Sequence, residues 1–143
     1  MSINTFYNEI LTEHNLYPYH KKQIENPNLI LEGVNPSCGD DLIVQLRVEN
    51  DIIIDGGFVG DGCAISQASA DMMLDLIIGT HTDEALRLAD IFIRMIKKDA
   101  TQEEIDELKE AQALQDISHM PSRVKCAVLG WRTVEDMLTP PEE

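Results

Sequence analysis

From Leu42 to Glu49 the side chains alternate: Leu42, Val44, Leu46 and Val48 fall on one side of an extended chain, and Ile43, Gln45, Arg47 and Glu49 on the other. A period of two over this length is that of a half-buried strand. Asn50-Asp51 suits a tight turn, and Ile52-Ile53-Ile54 restarts the extended pattern, so the segment reads as a β-hairpin. Gly56, Gly57, Gly60 and Gly62 then crowd the approach to Cys63. That density predicts a bulged strand end and a tight turn with a close backbone approach.

Helices flank the hairpin. Ile3, Phe6, Tyr7, Ile10 and Leu11 follow helical spacing, and the helix should end before Tyr17-Pro18. The stretch from His20 to Pro36 is irregular, with Leu29-Ile30-Leu31 either a short edge strand or a segment laid over the core. A helix from Ala64 to Ile78 carries Ile65, Ala68, Met72 and Leu76 on one stripe and closes at Gly79. Another opens at Thr82, buries Leu88, Ala89, Phe92 and Ile96, and ends in Lys97-Lys98. Thr101 to Glu104 is a capping box opening an acidic segment that reaches Gln112. A last helix begins at Pro121 or Ser122, with Val124, Ala127, Val128, Trp131 and Leu138 on its apolar side. The order of elements gives an α+β class: a small antiparallel sheet packed against several helices.

Length and charge bound the function. The 143 residues fit one domain, 1–143, able to bury a core without disulfide staples. Against 26 acidic side chains stand 11 basic ones, a net charge of −15, which argues against nucleic acid and anionic membrane as partners and favours a basic protein face. No apolar run approaches the ~20 residues that span a bilayer. The N-terminus lacks the basic start and apolar core of a signal peptide. Three cysteines cannot all pair internally, so the expected compartment is the reducing cytoplasm, where thiols serve metal or redox chemistry.

The cysteines carry the chemistry. Cys38 follows Asn35-Pro36-Ser37 in a turn before the first firm strand, Cys63 stands at a strand-to-helix joint, and Cys126 lies in the opening turns of the last helix. Helix N-termini favour the thiolate, so Cys63 and Cys126 are placed as nucleophiles or metal ligands. The commonest fate of a free cysteine is burial as a small hydrophobe; the glycines and aspartates beside Cys38 and Cys63 point away from that. Asp40 lies two residues from Cys38 across a glycine, and three thiolates with one carboxylate fill a tetrahedral zinc site. The alternative for Asp40 is a turn-capping carboxylate, and the C-x-D…C…C spacing matches no paired C-x₂-C zinc pattern.

Arg123, one helical turn before Cys126, can share the face of that thiolate and stabilise it, or be a solvated helix arginine. His14 and His81 are expected in solvent, and His119 as a neighbour of the site or a partner contact rather than a ligand. Trp131 and Met72-Met73 read as core. Phosphate-loop, dinucleotide, nucleophile-elbow and H-E-x-x-H patterns are absent from the sequence.

Three blocks together, Asn35-Pro-Ser-Cys-Gly-Asp40, Gly60-Asp-Gly-Cys-Ala-Ile-Ser-Gln-Ala-Ser69 and Arg123-Val-Lys-Cys-Ala-Val-Leu-Gly-Trp131, resemble the IscU/NifU-N-like family of iron–sulfur cluster assembly proteins, and within it the SufU branch. The resemblance implies an α+β fold with the cysteines gathered at one exposed end. Scaffold members carry a histidine before the third cysteine and build a [2Fe–2S] cluster; here that position is Lys125. An insertion covering about 98–117 also resembles SufU. The implied ligands of Zn²⁺ are Cys38, Asp40, Cys63 and Cys126. The implied activity is sulfurtransfer from a cysteine desulfurase, with Cys38 as acceptor and Arg123 as an activating or partner-facing residue. Downstream cluster-assembly or apo iron–sulfur proteins would receive the sulfur. The alternative is a scaffold that assembles iron or a [2Fe–2S] cluster and hands it on.

Overall fold

The structure is a computed structural model describing the backbone of residues 3–37 and 39–139, with side chains from residue 9 onward. Cys38 and the side chains of Ile3, Phe6 and Tyr7 lie outside the described residues. The chain opens with helix α1 (Ile3–Leu16) and continues through strands β1 (Leu29–Asn35), β2 (Asp40–Glu49) and β3 (Ile52–Asp61). Helices α2 (Ala64–Ile77), α3 (Thr82–Ile96), α4 (Gln102–Asp106), a 3-10 helical segment (Lys109–His119) and α5 (Pro121–Leu138) complete it. The strands form one antiparallel sheet in the order β1-β2-β3, so the α+β layout is the observed one.

The alternation in β2 does what its period requires: Leu42, Val44 and Leu46 are fully buried against the helices. Glu49 pairs with Ile52 across a two-residue loop, where Asn50 and Asp51 both take positive φ (53° and 63°), the conformation of a hairpin turn that matches strand twist. Leu29-Ile30-Leu31 belongs to a full seven-residue edge strand, longer than the sequence suggested. Exposed Ile30, Glu32 and Val34 along it gave no alternation to read, and the pairing with β2 holds it in place. The expected bulge at the glycine-rich end of β3 is absent; pairing stays regular to Asp61, and the register shift falls at Arg47/Val48 instead. The glycines serve close approach there: Gly60 has φ +117° and the Asp41 carbonyl fills the place of a Cβ.

α2 runs through the middle of the molecule. Nine of its residues, Ser66, Ala68 to Leu74 and Ile77, are buried, more than the single stripe its spacing indicated. Trp131 of α5 stacks on Phe92 of α3 with ring centroids 4.1 Å apart, and its indole N–H donates to Ser69 Oγ of α2 at 2.9 Å. Trp131, Met72 and Met73 are thus core. α4 opens with the expected Thr101–Glu104 capping box. Arg94 grips Glu104 at 2.6 Å and Asp90 at 2.9 Å, latching α4 to α3 and holding the Glu104 carboxyl down to about 2.

His14 differs from the sequence reading. It is buried between α1, α2 and the 3-10 segment, with Nδ1 2.7 Å from Asp71 Oδ2 and Nε2 3.4 Å from Glu110 Oε1. Asp71, fully buried in α2, also receives the His20 backbone N–H at 2.8 Å. A carboxylate in the core needs such donors, and α1 folds back over α2 to supply them.

Candidate metal centre

At one end of the sheet, β1 ends at Asn35 and β2 begins at its register partner Asp40. β3 ends at Asp61, and Cys63 follows as the N-cap of α2. From the opposite side α5 brings in Cys126, fully buried. Three elements distant in sequence therefore converge, and one ligand atom from each of Asp40, Cys63 and Cys126 lies within 4.8 Å of the others. Among the described residues this is the one grouping of metal-binding side chains that close.

Asp40 is 1% exposed, and its orientation is set by its surroundings. Oδ1 accepts the Cys63 backbone N–H at 2.8 Å and lies 3.1 Å from the Ser66 hydroxyl. Oδ2 accepts from the Asn35 side-chain amide at 3.3 Å, and the same amide nitrogen lies 3.9 Å from Cys126 Sγ. The bland role for Asp40, capping its own turn, is not what these partners describe; it ties the β2 start to the α2 N-terminus.

Cys63 is half-buried, and its sulfur accepts the Ser66 backbone N–H at 3.4 Å. It is a sulfur N-cap at the positive end of α2. Cys126 is different. It is the sixth residue of α5, beyond the turn over which the dipole acts, and it joins Asp40 and Cys63 in the metal-binding grouping from within that helix. Gly62 leaves the room: a Cβ there would run into the Ser66 hydroxyl and stand 3.1 Å from Asp40 Oδ1.

Arg123 and Lys125 are both exposed at the start of α5. His119 is exposed and lines a separate groove with Lys98, Asp116 and Ser118, while His81 is exposed at the start of α3. Asn35 and Ser66 were part of the motif blocks but received no role from the sequence. For Ser66 the signal was its position three residues after Cys63, the spacing at which a helix cap and its partner meet.

A family model described as "NifU-like N terminal domain" matches residues 6–136. The chain belongs to this family. The zinc-dependent sulfurtransferase SufU of Bacillus subtilis is 35% identical over 134 residues, covering 94% of this chain and 90% of that protein. The iron-sulfur cluster assembly scaffold protein IscU of Thermotoga maritima is 36% identical over 140 residues, covering 96% of each. A crystal structure of an iron-sulfur cluster assembly scaffold protein for the SUF system from Fervidobacterium islandicum superposes with a TM-score of 0.87 at 34% identity. It covers 95% of this chain and 98% of that one. The superposition extends over nearly the whole of the fold described above.

The donor set of this NifU-like centre suits zinc or iron: thiol sulfur and carboxylate oxygen are the ligand types both metals take. Asp40, Cys63 and Cys126 would hold such an ion, which would keep bound thiols deprotonated. Among the described residues, no helix is long and apolar enough to cross a membrane.

Proposed function

We propose that this protein works in iron–sulfur cluster assembly as a zinc-dependent sulfur acceptor for a cysteine desulfurase. The observation that carries the reading is the convergence of Asp40, Cys63 and Cys126 at the end of the sheet where Asn35 pairs with Asp40. Cys38 is proposed as the fourth donor. We read the chain as one domain, 1–143, with the acidic segment of about 98–117 as an insertion.

Bound metal would hold its thiols as thiolates at neutral pH. The transfer itself is a thiol exchange. The Cys38 thiolate attacks the outer sulfur of the persulfide on the desulfurase cysteine; a new S–S bond forms, the old one breaks, and the desulfurase thiolate leaves. One sulfur atom moves and nothing is oxidised overall. Asp40, fixed by Cys63 N–H, Ser66 and Asn35, keeps the remaining donors in place while Cys38 reacts. Exposed Arg123 supplies positive charge where the incoming persulfide is anionic. Passage to a downstream cluster-assembly or apo iron–sulfur protein repeats the exchange with Cys38 persulfide as donor.

Lys125 supports the relay over a scaffold, since an ammonium has no lone pair for iron, whereas a scaffold histidine does. The scaffold reading is supported by relatives named as IscU scaffolds at similar identity. The two separate on sulfide release by a cysteine desulfurase, measured with reductant and zinc-loaded protein. The relay predicts strong stimulation that disappears in Cys38→Ala. No stimulation, together with an iron–sulfur cluster that forms and transfers, establishes the scaffold.

A further inference from the structure

Asn35 stands at the meeting point of three parts of the site. It ends β1, it is the register partner of Asp40, and it is 6% exposed. Its Oδ1 accepts the Ser37 hydroxyl at 2.8 Å; its Nδ2 lies 3.3 Å from Asp40 Oδ2 and 3.9 Å from Cys126 Sγ. A primary amide has two protons on nitrogen, and here there are two acceptors for them. The opposite amide orientation would place Oδ1 against a carboxylate and a thiolate, so the partners fix which end is which.

We propose that Asn35 is a positioning residue of the centre. Through one side chain it orients the Asp40 carboxylate, donates to the Cys126 sulfur and ties both to Ser37, the residue before Cys38. This rests on the metal-and-sulfur reading of the cluster.

The physical need follows from charge. Three thiolates and a carboxylate around a divalent ion leave a net charge of −2, since 2 − 4 = −2, next to the buried amide of Asn35. An N–H donor spreads that charge and lowers the basicity of the sulfur it touches. Because the donor is neutral, it costs no buried ion when the metal is absent. Aspartate has the same shape but replaces the N–H donors with an anion facing two others. Alanine removes both halves. Outer partners of this kind change metal affinity by about 10–100-fold when lost.

Zinc affinity of wild type, Asn35→Asp and Asn35→Ala, measured by chelator competition, gives the test, with the thiolate-to-cobalt charge-transfer band of cobalt-loaded protein as a second readout. Both variants should bind zinc about ten- to a hundredfold more weakly, Asn35→Asp the worse, with the band shifted and helix content retained. Unchanged affinity and band in the folded variants overturn the proposal. Should the variants not fold, the wild type still decides. In nitrogen-edited proton spectra the Asn35 side-chain amide should exchange slowly and shift on zinc addition. A fast-exchanging amide indifferent to zinc overturns it. A wild type that stimulates no desulfurase, beside variants that lose zinc, sinks the relay and leaves Asn35 in its role.

Discussion

Asp40 has more to do than add one oxygen to a ligand set. Its Oδ1 joins the start of β2 to the N-terminus of α2, through Cys63 N–H at 2.8 Å, while Oδ2 accepts from the Asn35 amide. That arrangement depends on a residue with no side chain at position 62. Gly62→Ala puts a methyl group onto the Ser66 hydroxyl and 3.1 Å from Asp40 Oδ1, so the joint must shift. The expected result is zinc affinity reduced by about tenfold or more with an unchanged far-ultraviolet circular dichroism spectrum, checked by chelator competition. Wild-type affinity in this variant would mean that Asp40 is not held as described.

At the scale of elements, the His14–Asp71 pair fastens α1 across α2, with Glu110 of the 3-10 segment closing the other side. The hydrogen bond that His14 donates to Asp71 raises the His14 pKa above its ordinary 6.5, outweighing burial, and the Asp71 and Glu110 charges add to it. Because the folded value lies above the unfolded one, the pair's stabilisation is fully present below pH 6.5 and is lost as pH rises through the folded value. His14→Ala leaves a buried carboxylate with the His20 N–H as its remaining partner among the described residues. It should cost about 3–5 kcal/mol near pH 6, measured by urea unfolding, with the gap to wild type narrowing as pH rises. A pH-independent gap would contradict a charged pair.

Over the whole molecule, what the sequence made legible follows its periodicities. The β2 alternation, the Asn50-Asp51 turn, α3 with its acidic start and basic end, and the Thr101 capping box are local signals, and each appears where its residues lie. β1 was only half legible because an edge strand with both faces partly exposed carries no period. His14 was misread because a single buried histidine looks like any helix-end histidine until Asp71, 57 residues away, comes beside it. The site divides in the same way. Cys63, Cys126 and Asp40 are visible as chemistry, and the glycines announce a close approach. The supporting amide of Asn35 and the hydroxyl of Ser66 acquire meaning only once β1, α2 and α5 are folded together. The net charge of −15 belongs to this scale too, and suits a partner with a basic docking face.

The central claim is that sulfur passes onto Cys38 beside this metal centre. The most direct measurement is peptide mass spectrometry of the zinc-loaded protein after a single turnover of a cysteine desulfurase, with thiols blocked at once. The account predicts a mass gain of one sulfur atom on the peptide carrying Cys38, and none on that peptide in Cys38→Ala. Sulfur found only on the peptides of Cys63 or Cys126, or on none of the three, would contradict it.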